Sequence, residues 1–156
     1  MKKRWYKKSG IKGLLVLLTI FLVGCTIGGL IGGRLGDNYS HKKIITISLF
    51  LAFFPTYYFF THAGTEPLAL IALFLSGAFI LAPQPSSLVW AQQMMPSNVA
   101  MASGMMMGLS FGLGSIGTAL TAAFADHIGL SLSLLLTSIP LLIAAVLAIM
   151  TPYQKK

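Results

Sequence analysis

Charged residues are scarce in this sequence, and acidic residues are the scarcest. Only 9% of the 156 residues are charged, with three Asp and Glu against eleven Lys and Arg. Three long stretches carry no Asp, Glu, Lys or Arg at all, namely 44–65, 67–125 and 127–154. About a quarter of the residues in an average soluble domain are charged. This composition therefore excludes a water-soluble globular core.

Cysteine is nearly absent as well, because Cys25 is the only one. A disulfide within the chain is therefore excluded. Residues 1–25 begin with a basic region, continue as an apolar run and end in LVGC, which is the shape of a bacterial lipoprotein signal acylated at its cysteine. That alternative would cut the glycine-rich segment around Cys25 in two and leave a short apolar remnant, so we favour an uncut membrane span.

Apolar residues fill the stretches that lack charge. Hydrophobic residues make up 56% of the chain, and about 20 consecutive apolar residues suffice to cross the hydrocarbon core of a bilayer. The sequence predicts an all-α, polytopic membrane protein with a membrane domain at 11–151 between basic tails at 1–10 and 152–156. The five predicted transmembrane helices cover about 11–33, 44–61, 67–91, 99–125 and 130–150, and the third is broken at Pro83 and Pro85.

Glycine recurs at four-residue spacing in the first and the fourth predicted spans. The two rows are Gly24, Gly28, Gly32 and Gly36, and then Gly104, Gly108 and Gly112. Residues four apart lie on nearly the same side of a helix. Small residues in such a row allow two membrane helices to approach closely. Both rows therefore predict helix-packing surfaces, which are either static or allow sliding.

The stretch GRLGDNYSHKK at 33–43 follows the first glycine row and resembles the cytoplasmic loop signature of the major facilitator superfamily. The residues that match it are Gly33, Asp37, Lys42 and Lys43. Asn38 and Ser40 depart from the pattern, since the family usually has a basic residue and a glycine there. The resemblance implies that this loop motif stabilises one transport state, with Asp37 accepting N–H groups at a helix start and the lysines holding the loop at the lipid surface. An ordinary helix cap is the alternative for Asp37.

Residues 81–130, from LAPQPSSLVW to ADHIGL, are similar to the last part of the fosmidomycin resistance type of these drug exporters. The shared features are a broken tenth helix, a connection of the form AQ...P, a glycine-rich eleventh helix and a closing ADxxGL. The resemblance spans helices eight to twelve, which implies an incomplete C-terminal six-helix half from a truncated or split gene. It further implies a multi-pass protein of the inner or plasma membrane that exports small molecules, as an antiporter, by alternating access. A missing N-terminal transporter half or a homo-oligomer would complete the pathway.

Candidate contacts for a small-molecule substrate lie around the break in the third span. Gln84 stands between two prolines, where broken backbone exposes polar groups to a cavity, and Ser86 and Ser87 follow it. The alternative is that these serines bond back to their own helix. The last four spans hold no ionisable residue at depth, so any residues that couple transport to protons are expected elsewhere.

Other classes of function have little support in the sequence. Basic residues cluster beside the spans, which indicates contact with the lipid bilayer and not with nucleic acid. The sequence GLGSIG at 112–117 matches a dinucleotide fingerprint, but it lies in an apolar segment without the strand that this fingerprint requires. We expect no catalytic residues, no metal site and no cofactor, and hence no enzyme. A non-transporting membrane remnant, small scaffold or lipoprotein-like protein is the alternative to a transporter.

Overall fold

The computed structural model describes residues 2–62 and 66–151, and every regular element within them is a helix. In chain order these are α1 (Lys2–Asn38), α2 (His41–Thr61), α3 (Pro67–Leu81), α4 (Pro83–Met94), α5 (Val99–Ile128), α6 (Leu130–Leu136) and α7 (Ile139–Met150). Five stretches are long and apolar enough to cross a membrane, and they are Lys12–Asn38, His41–Thr61, Pro67–Met94, Val99–Ile128 and Leu132–Met150. The prediction of an all-α membrane protein with five spans is confirmed. The tail at 152–156 and the side chains of the tail at 1–10 lie outside the described part of the chain.

Successive spans run in opposite directions, with α3 and α4 together forming the third span and α6 and α7 the fifth. The end of the bundle at which α1 stops therefore also holds the start of α2, the end of α4, the start of α5 and the end of α7. We call this end of the bundle the loop end. Within the bundle α1 packs along α3 and α4, α2 packs on α3, α4 and α7, and α5 lies at the edge against α4 and α6.

Two spans are interrupted at proline residues. In the third span, Ala82 separates α3 from α4, yet its backbone stays helical at φ −54° and ψ −38°, so the two helices continue in nearly the same direction. In the fifth span, α6 ends before a turn at Thr137 and Ser138, and Pro140 is the second residue of α7. Proline is tolerated in the first turn of a helix, where its missing N–H has no partner to lose. The sequence predicted a continuous fifth span, and Pro140 was the signal for this break.

The loop expected at 34–43 is mostly helical. α1 continues to Asn38 and α2 begins at His41, so only Tyr39 and Ser40 lie between the two helices. Asp37 is consequently in the last turn of α1, and the residue that precedes α2 is Ser40, which makes no side-chain capping bond. Asp37 therefore does not cap the start of α2, and its role in the loop motif stays a prediction. Residues 34–38 contain no proline, which would remove a backbone donor and end α1 earlier.

Candidate functional site

The first glycine row lies directly against the backbone of the third span. The pairs are Gly24 with Phe74, Gly28 with Ala78, and Gly32 with Ala82. A methyl group added at any of these glycines would overlap the carbonyl oxygen of its partner. Each pair differs by 50 in residue number, so the two helices run parallel in a fixed register. We call this contact the glycine seam.

The seam continues beyond the break at Ala82 into α4. A Cβ atom at Gly36 would lie 2.7 Å from Ser86 Oγ, again at an offset of 50 residues. Ser86 is only 1% exposed, and its hydroxyl donates to the carbonyl oxygen of Gly32 at 3.5 Å. From the α3 side, a Cβ atom at Gly77 would lie 2.5 Å from the Phe21 carbonyl oxygen. Backbone contact therefore runs along most of the membrane-crossing length of α1.

The second glycine row has a different environment. Added Cβ atoms at Gly104, Gly108 and Gly112 would meet no atom of the described chain within 4 Å. Ala102 is the one residue of α5 classed as buried. α5 touches α4 and α6 with other parts of its surface, so this row has no helix against it within the described residues. Its role in helix packing stays a prediction.

A cavity of about 450 Å³ lies between α2, α4 and α5. We call it the substrate groove, because the predicted substrate contact Gln84 lies in its wall. Its walls are mainly apolar and are formed by Ile45, Leu49, Ile80, Pro83, Gln84, Ser87, Leu88, Met106, Met107, Ser110 and Phe111. A hydrogen bond from Gln92 Nε2 to Ser103 Oγ, 2.8 Å long, joins α4 to α5. The predicted contacts Gln84 and Ser87 thus line one cavity.

The polar groups of the substrate groove differ in their availability. Ser87 Oγ donates to the Gln84 carbonyl oxygen at 2.8 Å, and Ser110 Oγ donates to the Met106 carbonyl oxygen at 2.7 Å. The Gln84 side chain is exposed and has no hydrogen-bond partner among the residues that the structure describes. Its amide offers two N–H donors and one carbonyl acceptor. The groove can therefore hold an apolar molecule that bears one polar group.

Ser86 does not line the substrate groove with its neighbours. Consecutive residues of a helix project about 100° apart, and Ser86 projects towards α1, where the glycine seam buries it. The expected contact between Ser86 and a substrate is therefore not supported by its position. The sequence PQPSS does not indicate that Ser86 faces α1 while Ser87 faces the groove.

The four residues of the loop motif have two kinds of environment. Lys42 Nζ donates to the carbonyl oxygens of Ile149 and Thr151, both at 2.6 Å. These carbonyls belong to the end of α7. The last carbonyl groups of a helix have no N–H partner within it, and the negative end of the helix dipole favours a cation there. Gly33 faces α4, and its added Cβ would lie 3.8 Å from Pro85 Cβ. In contrast, the side chains of Asp37 and Lys43 are exposed.

Lys42 therefore joins the start of α2 to the end of the last helix. The sequence assigned both lysines to the lipid surface, but only Lys43 has the exposure which that role requires. The partner of Lys42 lies 107 residues away in the chain, and no local pattern identifies such a contact. Sequence reasoning therefore missed this junction.

His41 is a further buried group that the sequence did not indicate. It is 8% exposed at the start of α2, and its Nε2 lies 3.4 Å from Gln93 Nε2 on α4. Its Nδ1 has no hydrogen-bond partner within the described chain. The polar sequence around it suggests a solvated side chain, whereas the approach of α1 and α4 encloses it. No cluster of three or more His, Cys, Asp or Glu with the spacing of a metal site occurs in 2–62 and 66–151.

Comparison with known proteins places the chain in a family. The model of the Major Facilitator Superfamily matches residues 9–156. The fosmidomycin resistance protein of Escherichia coli (strain K12) is 33% identical over 116 residues, which are 74% of this chain and 28% of that protein. The uncharacterized MFS-type transporter YfnC of Bacillus subtilis (strain 168) is 31% identical over 138 residues, or 88% of this chain and 33% of that protein.

The chain thus spans about a third of the length of these curated relatives. No solved structure matches it. The family model covers nearly the whole sequence, including the glycine seam, the substrate groove and the loop motif. The resemblance inferred from the sequence is therefore confirmed, and the chain belongs to the Major Facilitator Superfamily.

Proposed function

We propose that this chain is the C-terminal part of an exporter of drugs or other small molecules that works by alternating access. In this proposal, Gln84 contacts the substrate in the groove between α2, α4 and α5. The free amide of Gln84 in a largely apolar cavity is the observation that carries the assignment. In this proposal the protein carries its substrate across the membrane without making or breaking covalent bonds.

The dimensions and chemistry of the groove support a small-molecule site. Binding sites for small molecules are typically about 300–1,000 Å³, mostly apolar, and contain a few well-placed polar groups. The groove of about 450 Å³ falls in this range. Met106 and Met107 line it from α5, and unbranched methionine side chains adapt to ligands of different shape. Such a site suits a carrier with several related substrates.

Alternating access requires a second group of helices, and α5 offers a surface for it. Transporters of this type rock one bundle against another around a central site. The glycine row Gly104, Gly108 and Gly112 is open towards the outside of the bundle, and rows of small residues permit close approach of membrane helices. We propose that an N-terminal transporter half, or a second copy of the chain, contacts this row. The protein then works as a multi-pass protein of the inner or plasma membrane, as an antiporter.

The loop end has a separate role in this proposal. Lys42 holds the start of α2 to the end of α7, while Asp37 and Lys43 remain exposed at the same end of the bundle. Exposed charges at this position are available to the second group of helices in one of the two access states. We propose that their contacts stabilise that state, so that the loop motif sets the balance between the two.

A fusion protein tests the proposal. The full chain is joined behind the preceding helices of the E. coli fosmidomycin resistance protein and expressed in bacteria that lack that protein. We expect membrane insertion and resistance to fosmidomycin, which is the compound in the relative's name. Correct insertion without resistance to fosmidomycin, and without export of a panel of other drugs, would contradict export and favour a non-transporting scaffold.

A further inference from the structure

A hydrogen bond between side chains joins α4 to α5 near the loop end. Gln92 Nε2 donates to Ser103 Oγ at 2.8 Å, and the Ser103 hydroxyl donates in turn to the Val99 carbonyl oxygen at 2.9 Å. Ser103 thus uses its hydroxyl proton within α5 and offers an oxygen lone pair to α4. Both Gln92 and Ser103 are half-buried, and a hydrogen bond is electrostatically stronger there than in water.

The helix faces that carry this bond continue into the substrate groove. Leu88 on α4 and Met107 on α5 both line the groove. Gln92 lies four residues after Leu88, and Ser103 lies four residues before Met107. Because α4 and α5 run in opposite directions, both steps lead about one helical turn towards the loop end along nearly the same face. The bond therefore aligns the two faces from which the groove is built.

One turn further from the loop end, the same two faces carry Gln84 and Phe111. Both residues line the groove. Phe111 is 73% exposed among the described residues, so little of its ring is packed against the described helices. The free amide of Gln84 and the ring of Phe111 thus lie on facing helix surfaces at about the same level. A molecule in the groove would place a polar group at the amide and an apolar part on the ring.

The rotation of α5 about its own axis decides which of its faces lines the groove. Consecutive residues of a helix project about 100° apart, so the glycine row of α5 lies beside the face of Ser103. The connection at 95–98 holds the ends of α4 and α5 together, but such a connection alone leaves this rotation undetermined. We propose that Gln92 and Ser103 are positioning residues, whose hydrogen bond fixes the rotation of α5 and keeps Phe111 opposite Gln84.

The consequence for substrates rests on the proposed function, whereas the orientation of α5 is measurable without transport. If the groove binds the exported molecule, this orientation adds a requirement on its shape. A polar group must reach the α4 side while an apolar part reaches the α5 side at the same level, across the 8–10 Å that typically separate the axes of packed helices. The pair of Gln92 and Ser103 thus determines which molecules fit.

Cross-linking measures the orientation of α5. In a Cys25→Ser background and in native membranes, Leu88→Cys is combined with Met107→Cys on the groove face or with Gly108→Cys on the neighbouring face, and o-phenylenedimaleimide is added. We expect positions 88 and 107 to cross-link in preference to positions 88 and 108. Ser103→Ala should reduce this preference about two- to tenfold, which is the factor that one hydrogen bond is worth. Ser103→Thr keeps the hydroxyl and should restore the preference.

Ser115→Ala is the matched control on the same helix. The Ser115 hydroxyl donates to the Phe111 carbonyl oxygen at 2.8 Å, and Ser115 does not line the groove, so this variant should keep the preference. Gln92→Leu removes the donor from α4 and should act as Ser103→Ala does, which provides a second test if Ser103→Ala fails to fold. An unchanged preference in the folded variants of the pair, or an equal fall in Ser115→Ala, overturns the proposal.

Export by the fusion protein tests the consequence for substrates. Ser103→Ala should raise the drug concentration for half-maximal export about two- to tenfold without reducing the amount of protein in the membrane, and Ser103→Thr should restore it. Export that is unaffected by Ser103→Ala overturns the role of the pair in the groove. A fusion protein that exports no drug contradicts the proposed function instead, and the cross-linking result then decides the orientation of α5 by itself.

Discussion

Gly28 lies against the backbone of Ala78, so closely that a methyl group at position 28 would overlap the Ala78 carbonyl oxygen. Because backbone atoms form this contact on both helices, neither α1 nor α3 can make room for an added methyl group by rotating a side chain. Helices in a membrane gain little from burying apolar surface, so contact at this distance is a main source of their association. The glycine seam therefore fixes α3 and α4 on α1, and with them one wall of the substrate groove.

Gly28→Ala should destabilise the folded chain. The added methyl group forces α1 and α3 apart, and overpacking of this kind typically costs about 1–3 kcal/mol. Gly108→Ala is the control, because it adds the same methyl group, and the same gain in helix propensity, in open space. Thermal unfolding of the two purified variants, monitored by size-exclusion chromatography after heating, measures the difference between their melting temperatures. Equal melting temperatures would show that the seam is not in contact.

Lys42→Met should weaken the end of α7. The variant removes two charge-assisted hydrogen bonds to the Ile149 and Thr151 carbonyls, and because Lys42 is only partly buried we expect a loss of about 1 kcal/mol. Hydrogen exchange of backbone amides in the last turn of α7 should become faster. Lys43→Met, in which an exposed neighbour changes in the same way, should leave the exchange rates as they are. Faster exchange in both variants would argue against a specific contact.

Ser86 and Ser87 should differ sharply in their chemical accessibility. In a Cys25→Ser background, Ser87→Cys places a thiol in the substrate groove, whereas Ser86→Cys places one in the seam, where the native side chain is 1% exposed. A water-soluble maleimide should therefore label position 87 and leave position 86 unmodified in the folded protein. Labelling at both positions would mean that α4 is rotated from the described orientation.

Gln84→Leu should lower drug resistance in the fusion protein without reducing the amount in the membrane. One lost hydrogen bond is worth about 0.5–1.5 kcal/mol, which corresponds to a change in substrate affinity of about two- to tenfold. Gln93→Leu, on the same helix but outside the groove, should keep wild-type resistance. If Gln84→Leu also keeps full resistance, the substrate does not use this amide.

The sequence was informative wherever one local property determined the structure. Apolar stretches with few charges, divided at short polar breaks, predicted all five spans, and the spacing of glycines identified the seam residues of α1. The same spacing in α5 gave the same expectation, yet Gly108 meets no helix of the described chain. Spacing shows which residues share a helix face, but it does not show what lies opposite.

Long-range partners and orientation were not accessible from the sequence. The contact of Lys42 with Ile149 joins residues 107 positions apart, and the burial of His41 follows from how three helices meet. The inward direction of Ser86 depends on the rotation of α4, which the seam determines. The extension of α1 through Asp37 was underestimated because a run of polar residues resembles a loop even when its backbone is helical.

The glycine seam is the central claim, and disulfide formation tests it most directly. A Cβ atom at Gly33 would lie 3.8 Å from Pro85 Cβ, which is within the range that a disulfide requires. In a Cys25→Ser background and in native membranes, with copper phenanthroline and oxygen added as the oxidant, Gly33→Cys with Pro85→Cys should form an intramolecular disulfide rapidly. Gly29→Cys with Pro85→Cys, one helical turn out of register, should not. Failure of the first pair to cross-link, or equal cross-linking of both pairs, would contradict the seam and the groove that depends on it.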